Sequence, residues 1–190
     1  MPLYNKFKNP LDLLILSFFS FNHQIRFNSS HDFNTPFGKN RSRYNENIKK
    51  NLIAFIDSLQ QKNIVFMKEN FDAVNLSKLT NKDFVYCDPP YLITVGTYND
   101  GKRGFNGWNM EQEQKLLDLL DNLNKKNVNF ALSNVLTHKN RTNHLLENWI
   151  KINKYNVIKI NNDFTNSNYH TNNRDKNATQ EVLINNIGLF

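Results

Sequence analysis

Four consecutive residues carry the most chemistry in this chain: Asp88, Pro89, Pro90 and Tyr91, which follow the apolar run Phe84–Cys87. Two successive prolines have a fixed φ and no N–H, so strand pairing stops there and the carbonyls of Asp88 and Pro89 are left free to accept hydrogen bonds. A carboxylate, a free carbonyl and an aromatic face at one point suit a planar ring that bears an amino group. Asp88 and the Pro89 carbonyl would each accept one amino hydrogen while Tyr91 stacks on the ring. Held that way, the nitrogen lone pair turns out of conjugation and towards an electrophile. The alternative is a tight exit from a strand and nothing more, because Asp and Pro are common turn residues.

The elements around this turn can be read from the pattern of apolar residues. From residue 63 onward, short apolar runs alternate with helical stretches: NIVFMKE, DFVYCD, VNFALSN, YNVIKI and EVLINNI as strands, residues 110 to 126 and about 140 to 151 as helices. Asn109 is placed to cap the first of these helices, and Leu116, Leu117, Leu119, Leu120 and Leu123 form its core face. Strands alternating with helices imply an open, largely parallel sheet, and in such sheets ligands bind outside the carboxyl ends of the strands, where Asp88 stands. Before residue 63 the pattern differs. Residues 9 to 20 are apolar enough for a mostly buried helix, and residues 45 to 61 are amphipathic, with Ile48, Leu52, Phe55, Ile56 and Leu59 on one side. Between them lies a polar stretch with interleaved aromatic and basic residues, whose centre at Ser29–Asp32 predicts a hairpin or folded loop.

Composition narrows the partners. The 190 residues suffice for one domain with a sizeable core, and 39% hydrophobic and 13% aromatic residues argue for a folded chain. The net charge of +7 and a pI of about 9.4 favour a polyanionic partner, since each neutralised phosphate releases counterions. One cysteine, Cys87, excludes an intramolecular disulfide framework and fits a reducing cytoplasm; it reads as a buried strand residue rather than a nucleophile. None of the five histidines has a carboxylate and a second histidine at metal-ligand spacing, so no metal is expected. Lys6 and Lys8 before an apolar run imitate a signal peptide, but Asp12 interrupts the run and it is too short to span a membrane.

The run VYCDPPY resembles the catalytic motif of the Dam-type, class alpha, adenine-specific DNA methyltransferases, and the likeness covers most of the chain. IRFNSSHDFNTPFGKNRSRYN is similar to the segment by which those enzymes contact DNA, Ser133 and Asn134 occupy the family's next strand end, and EVLINN its last strand. The resemblance implies an α/β fold: a partial Rossmann-like methyltransferase sheet with an inserted helical and hairpin DNA-recognition segment. Residues 1 to 62 would be the recognition segment and 63 to 190 the C-terminal part of the catalytic domain. It further implies methyl transfer from S-adenosylmethionine to the 6-amino group of an adenine flipped out of duplex DNA, in a bacterial restriction–modification system. Asp88, Pro89, Pro90 and Tyr91 would hold the base. Phe21, Asn22 and Arg26 fall at the family's wedge, polar-contact and guanine-reading positions, with Lys39, Arg41 and Arg43 against the backbone. Phe105 and Trp108 would shield the extruded base, although Trp108 could equally pack on the following helix. Arg174 and Lys176, in a second polar loop, would reach phosphates or stay solvated.

One family feature is missing. The six glycines include no pair in a strand-to-helix turn of the kind with which the family binds its methyl donor, so the chain is expected to be N-terminally truncated. Three alternatives to an autonomous enzyme follow: a fragment of a longer enzyme, one half of a split methyltransferase that needs its missing N-terminal half, or a catalytically silent DNA-binding remnant; a different substrate, RNA or protein glutamine, is a further alternative. The last is disfavoured by an aspartate where those enzymes often carry asparagine. A cognate restriction endonuclease would be a further partner, and a sheet without its first strands should show an exposed edge.

Overall fold

A computed structural model of the chain describes residues 2–94, 108–160 and 179–188. These residues form two compact units, one reaching Lys68 and the other starting at Glu69.

Among the described residues the first unit holds three α-helices: α1 (Leu3–Phe7), α2 (Pro10–Phe19) and α3 (Glu46–Gln60). Asn9 caps α2 by accepting from the Leu11 N–H, with Pro10 at the first helical position, and Asn45 caps α3 by accepting from the Ile48 N–H. A folded hairpin joins α2 to α3, closed by antiparallel bridges between Ser20 and Phe37 and between Phe27 and Phe33. Its tip is an asparagine-made turn: the Asn28 side chain accepts from the N–H groups of Ser30 and Asp32, and His31 adopts a left-handed φ of 59°. Asn5 acts as a substitute strand, donating to the Phe33 carbonyl at 3.1 Å and accepting from the Phe33 N–H at 2.6 Å.

Two expectations for this unit need correction. The helix α2 forms, yet none of its residues is buried, and Leu11 and Ile15 are 66% and 54% exposed. Density of apolar residues reports a demand for burial and does not supply the partner. Residues 63 to 69 form no strand; they are exposed throughout, Val65 and Phe66 by 75% and 80%. A strand needs a neighbour's ladder, and none of the described residues pairs with this one.

The second unit runs β1 (Phe84–Cys87), α4 (Met110–Lys125), β2 (Asn129–His138), β3 (Arg141–Thr142), α5 (His144–Asn153), β4 (Asn156–Ile160) and β5 (Thr179–Asn185). The sheet order is β1-β2-β5-β4, with β3 paired to the end of β2. Among the described residues only β1 and β2 pair in parallel, whereas β5 is antiparallel to both β2 and β4. The expectation of a largely parallel sheet therefore fails. Two crossovers through α4 and α5 carry the chain from β1 to β2 and on to β4, and the last strand returns between β2 and β4. Alternating strand and helix patterns do not reveal such an insertion.

The helices cover one face of the sheet. Leu116, Leu117, Leu120 and Leu123 of α4 and Leu146 and Trp149 of α5 meet Phe130, Leu132, Val182 and Ile184 there. Asp121 ties this core together, accepting from Trp149 Nε1 at 2.8 Å and from the Tyr155 hydroxyl at 2.9 Å. Burial and that hydrogen bond push the Tyr155 phenol far above its usual range, so it remains a donor. The outermost strands are less well covered: Phe84 and Tyr86 on β1 and Ile158 on β4 are each more than half exposed.

Candidate active site and nucleic-acid interface

Strand β1 delivers Asp88 to the carboxyl end of the sheet. Its register against β2 ends at the pair Cys87 and Leu132, which sets Asp88 immediately beyond the last ladder pair. The chain then leaves through Pro89 and Pro90 into a turn in which the Thr94 N–H donates to the Tyr91 carbonyl at 3.1 Å. The Tyr91 hydroxyl donates to Asp88 Oδ1 at 3.2 Å, so the ring and the carboxylate occupy one place. Burial, then the charges of Asp88 and Glu181, raise the Tyr91 phenol far above its ordinary range, so it stays protonated. Beside it, the Tyr86 hydroxyl and Ser133 Oγ share a hydrogen bond of 2.8 Å. Cys87 is half-buried and burial pushes its thiol pKa up, which suits a strand residue and not a nucleophile.

On the helix-covered face of the same sheet lies a carboxylate that sequence reasoning did not single out. Glu113 is fully buried on α4 and accepts from Asn134 Nδ2, Asn143 Nδ2 and Trp108 Nε1. Its position was legible in principle, because it shares the apolar stripe of Leu116, Leu117 and Leu120 at spacings of three, four and seven. Trp108, expected either as a shield or as a packing residue, lies against Phe71 with ring centroids 5.6 Å apart. Phe105, Arg174 and Lys176 lie outside the described residues.

The first unit gathers the expected DNA-contacting residues on its hairpin. Phe21 follows α2 directly, and its N–H donates to the Pro36 carbonyl at 2.8 Å, bringing it to the 38–43 turn. There the Arg41 guanidinium sits 5.2 Å from the centre of the Phe21 ring. Asn22 takes a left-handed φ of 53°, tolerable for asparagine. The backbone of Arg26 is pinned across the hairpin, its N–H to Thr35 Oγ1 and its carbonyl to the Asn34 N–H, while its side chain is exposed. Lys39, Arg41 and Arg43 are exposed on the same turn.

Gly38 makes this turn possible. A Cβ there would lie 2.6 Å from Ser42 Oγ and 2.9 Å from the Ser20 carbonyl oxygen. Gly38→Ala is expected to cost the first unit about 1–3 kcal/mol through that overlap. Limited proteolysis should show earlier cleavage within residues 20 to 44, with the second unit unchanged; cleavage indistinguishable from the wild type would refute the role given to Gly38.

Two same-face crossovers, an antiparallel strand inserted before the edge and an acid–proline turn at a strand's carboxyl end together define a Rossmann-like methyltransferase sheet. Comparison with known proteins makes the class specific: residues 4–165 match the D12 class N6 adenine-specific DNA methyltransferases, and the chain belongs to that family. The type II methyltransferase M.FokI of Planomicrobium okeanokoites is 51% identical over 183 residues, 96% of this chain and 28% of that protein. The modification methylase StsI of Streptococcus sanguinis is 48% identical over the same shares, and the DNA adenine methylase of Escherichia coli strain K12 is 27% identical over 83% of this chain and 54% of its own. The chain thus spans little more than a quarter of the length of the first two relatives.

Proposed function

We propose that this chain carries the base-holding site and the DNA-recognition segment of an adenine-specific DNA methyltransferase, acting in the cytoplasm of a bacterium as part of a restriction–modification system. The observation that carries the reading is the Asp88–Tyr91 turn, with its carboxylate and aromatic ring together beyond the last ladder pair of β1. Residues 1 to 62 would recognise DNA and residues 63 to 190 would form the C-terminal part of the catalytic domain. The relatives' names, which include modification methylases, support the restriction–modification setting.

In this reading an adenine leaves the duplex and enters beside β1. Its 6-amino hydrogens go to the Asp88 carboxylate and the Pro89 carbonyl, and Tyr91 stacks on the ring once its hydroxyl has released Asp88. Unstacking the base costs a few kcal/mol, which stacking on Tyr91 offsets in part. The amino lone pair is then directed out of the ring plane. Phe21, Asn22 and Arg26 would contact the duplex, with Lys39, Arg41 and Arg43 on phosphates.

S-adenosylmethionine would supply the methyl group. The described residues fit the base and not this donor: of the glycines among them, Gly38 closes the hairpin and Gly188 follows β5, and neither forms a strand-to-helix turn beside Asp88. A second reading rests on a specific observation, the exposed outer strand β1 with Phe84 and Tyr86 at 55% and 58% exposure. An enzyme assembled from two polypeptides would pair another strand there, and that strand would bring the donor site.

The test is transfer of labelled methyl groups to unmethylated duplex DNA, to RNA and to a glutamine peptide, by the chain alone and with the remaining part of a relative such as M.FokI added. Label on adenine of the duplex is expected. Label only on RNA or peptide would overturn the assignment, and salt-sensitive duplex binding with no transfer in either condition would establish a silent DNA-binding module instead.

A further inference from the structure

We propose that Glu113 is a positioning residue for the Asp88 turn, an inference that rests on the methyltransferase reading and deepens it. A fully buried carboxylate is costly unless its oxygens are matched by donors, and here they are matched by three. Glu113 Oε1 accepts from Asn134 Nδ2 and from Asn143 Nδ2, each at 3.0 Å, and Oε2 accepts from the Trp108 indole N–H at 2.5 Å. Each donor belongs to a different element: Asn134 to β2, Asn143 to the cap of α5, and Trp108 to the segment leading into α4.

The decisive bond is the one to Asn134. The last ladder pair between β1 and β2 joins Cys87 to Leu132, so Asn134 lies on β2 two residues beyond the point where β1 ends and the Asp88 turn begins. Asn134 Oδ1 accepts from the Val135 N–H, and the pairing of β2 with β5 shifts register between Val135 and Thr137. Thus β2 keeps regular pairing with β5 through Asn134, the residue Glu113 holds, and Val135, and departs from it only beyond them. The neighbouring strand end bears the carboxylate and carbonyl that must meet an amino group. Glu113 fixes the strand to which β1 is paired up to the start of that turn, without touching the base itself.

The geometry also says how to test this without unfolding the protein. Glutamine is isosteric, but its NH₂ opposes a donor in either orientation: the Trp108 N–H in one, the Asn134 and Asn143 amides in the other, and the carboxylate that satisfied all three is lost. Glu113→Gln is expected to leave the folded fraction and the KM for duplex DNA unchanged and to lower kcat roughly 10- to 100-fold, as misplacement of a reacting group does. Hydrogen exchange of the same proteins should rise in peptides covering 84–94 and 129–138 as well as in those next to Glu113 itself. Exchange that rises only around 108–116, or a kcat equal to that of the wild type, would overturn the proposal and leave Glu113 a local anchor. Should the wild type transfer no methyl group in any assembly, the functional reading falls by itself, and the exchange pattern still decides whether Glu113 holds the turn.

Discussion

Alanine at position 88 is expected to reduce methyl transfer to duplex DNA by about 10²- to 10³-fold or more, in whatever assembly supports transfer by the wild-type chain. Binding of the same duplex should stay within about twofold, because phosphate contacts dominate affinity and the expected ones lie on the hairpin. The fold should survive. Asp88 is exposed, and the side chain bonded to it, Tyr91, keeps its place in the turn through backbone bonding to Thr94. Loss of transfer with retained binding and an unchanged melting profile would assign Asp88 to the amino group. Equal transfer by the variant would sink the assignment, and parallel loss of binding and transfer would make Asp88 a DNA contact. Asparagine at 88 is the sharper companion variant: it keeps one acceptor oxygen but adds two donors, so its transfer should fall between those of aspartate and alanine.

The parts of this molecule that were legible in the sequence are those whose determinants are local. β1 and β2 appear as apolar runs, α4 announces itself through Asn109 and a leucine stripe, and the Asp88 turn is fixed by two adjacent prolines. What the sequence hid depends on partners far along the chain. Glu113 stands on the apolar stripe of α4, but what satisfies it there is hidden until Asn134 and Asn143, 21 and 30 residues away, are brought to it. The return of β5 between β2 and β4 leaves no trace in alternation, since a strand buried on one face reads alike whichever way its neighbours run. The run at 63 to 69 shows the opposite failure, with Ile64, Val65 and Phe66 fit for a strand and no ladder among the described residues to join.

The largest stability effect is expected at Phe130, where alanine should cost the second unit about 3–5 kcal/mol. Phe130 is fully buried, edge-on to Tyr155 with centroids 5.2 Å apart and 6.2 Å from the Trp149 ring. Neighbours that could collapse into the hole would soften the loss, but these two are tethered: Asp121 holds both polar ends. Closing the cavity would break one of those bonds, so the cavity stays open and the cost sits high in the range. Against a total stability of about 5–15 kcal/mol, such a loss populates the unfolded state appreciably. Phe130→Leu, which refills most of the space, should recover much of it, and Leu119→Ala at the half-buried rim should cost far less. Urea unfolding followed by tryptophan fluorescence measures all three. A Phe130→Ala midpoint within error of that for Leu119→Ala would show that the ring is not the centre of this core. Kinetics then separate the two kinds of loss: Phe130→Ala should lower transfer in proportion to the unfolded fraction and regain it on cooling, whereas Asp88→Ala should stay inactive while fully folded.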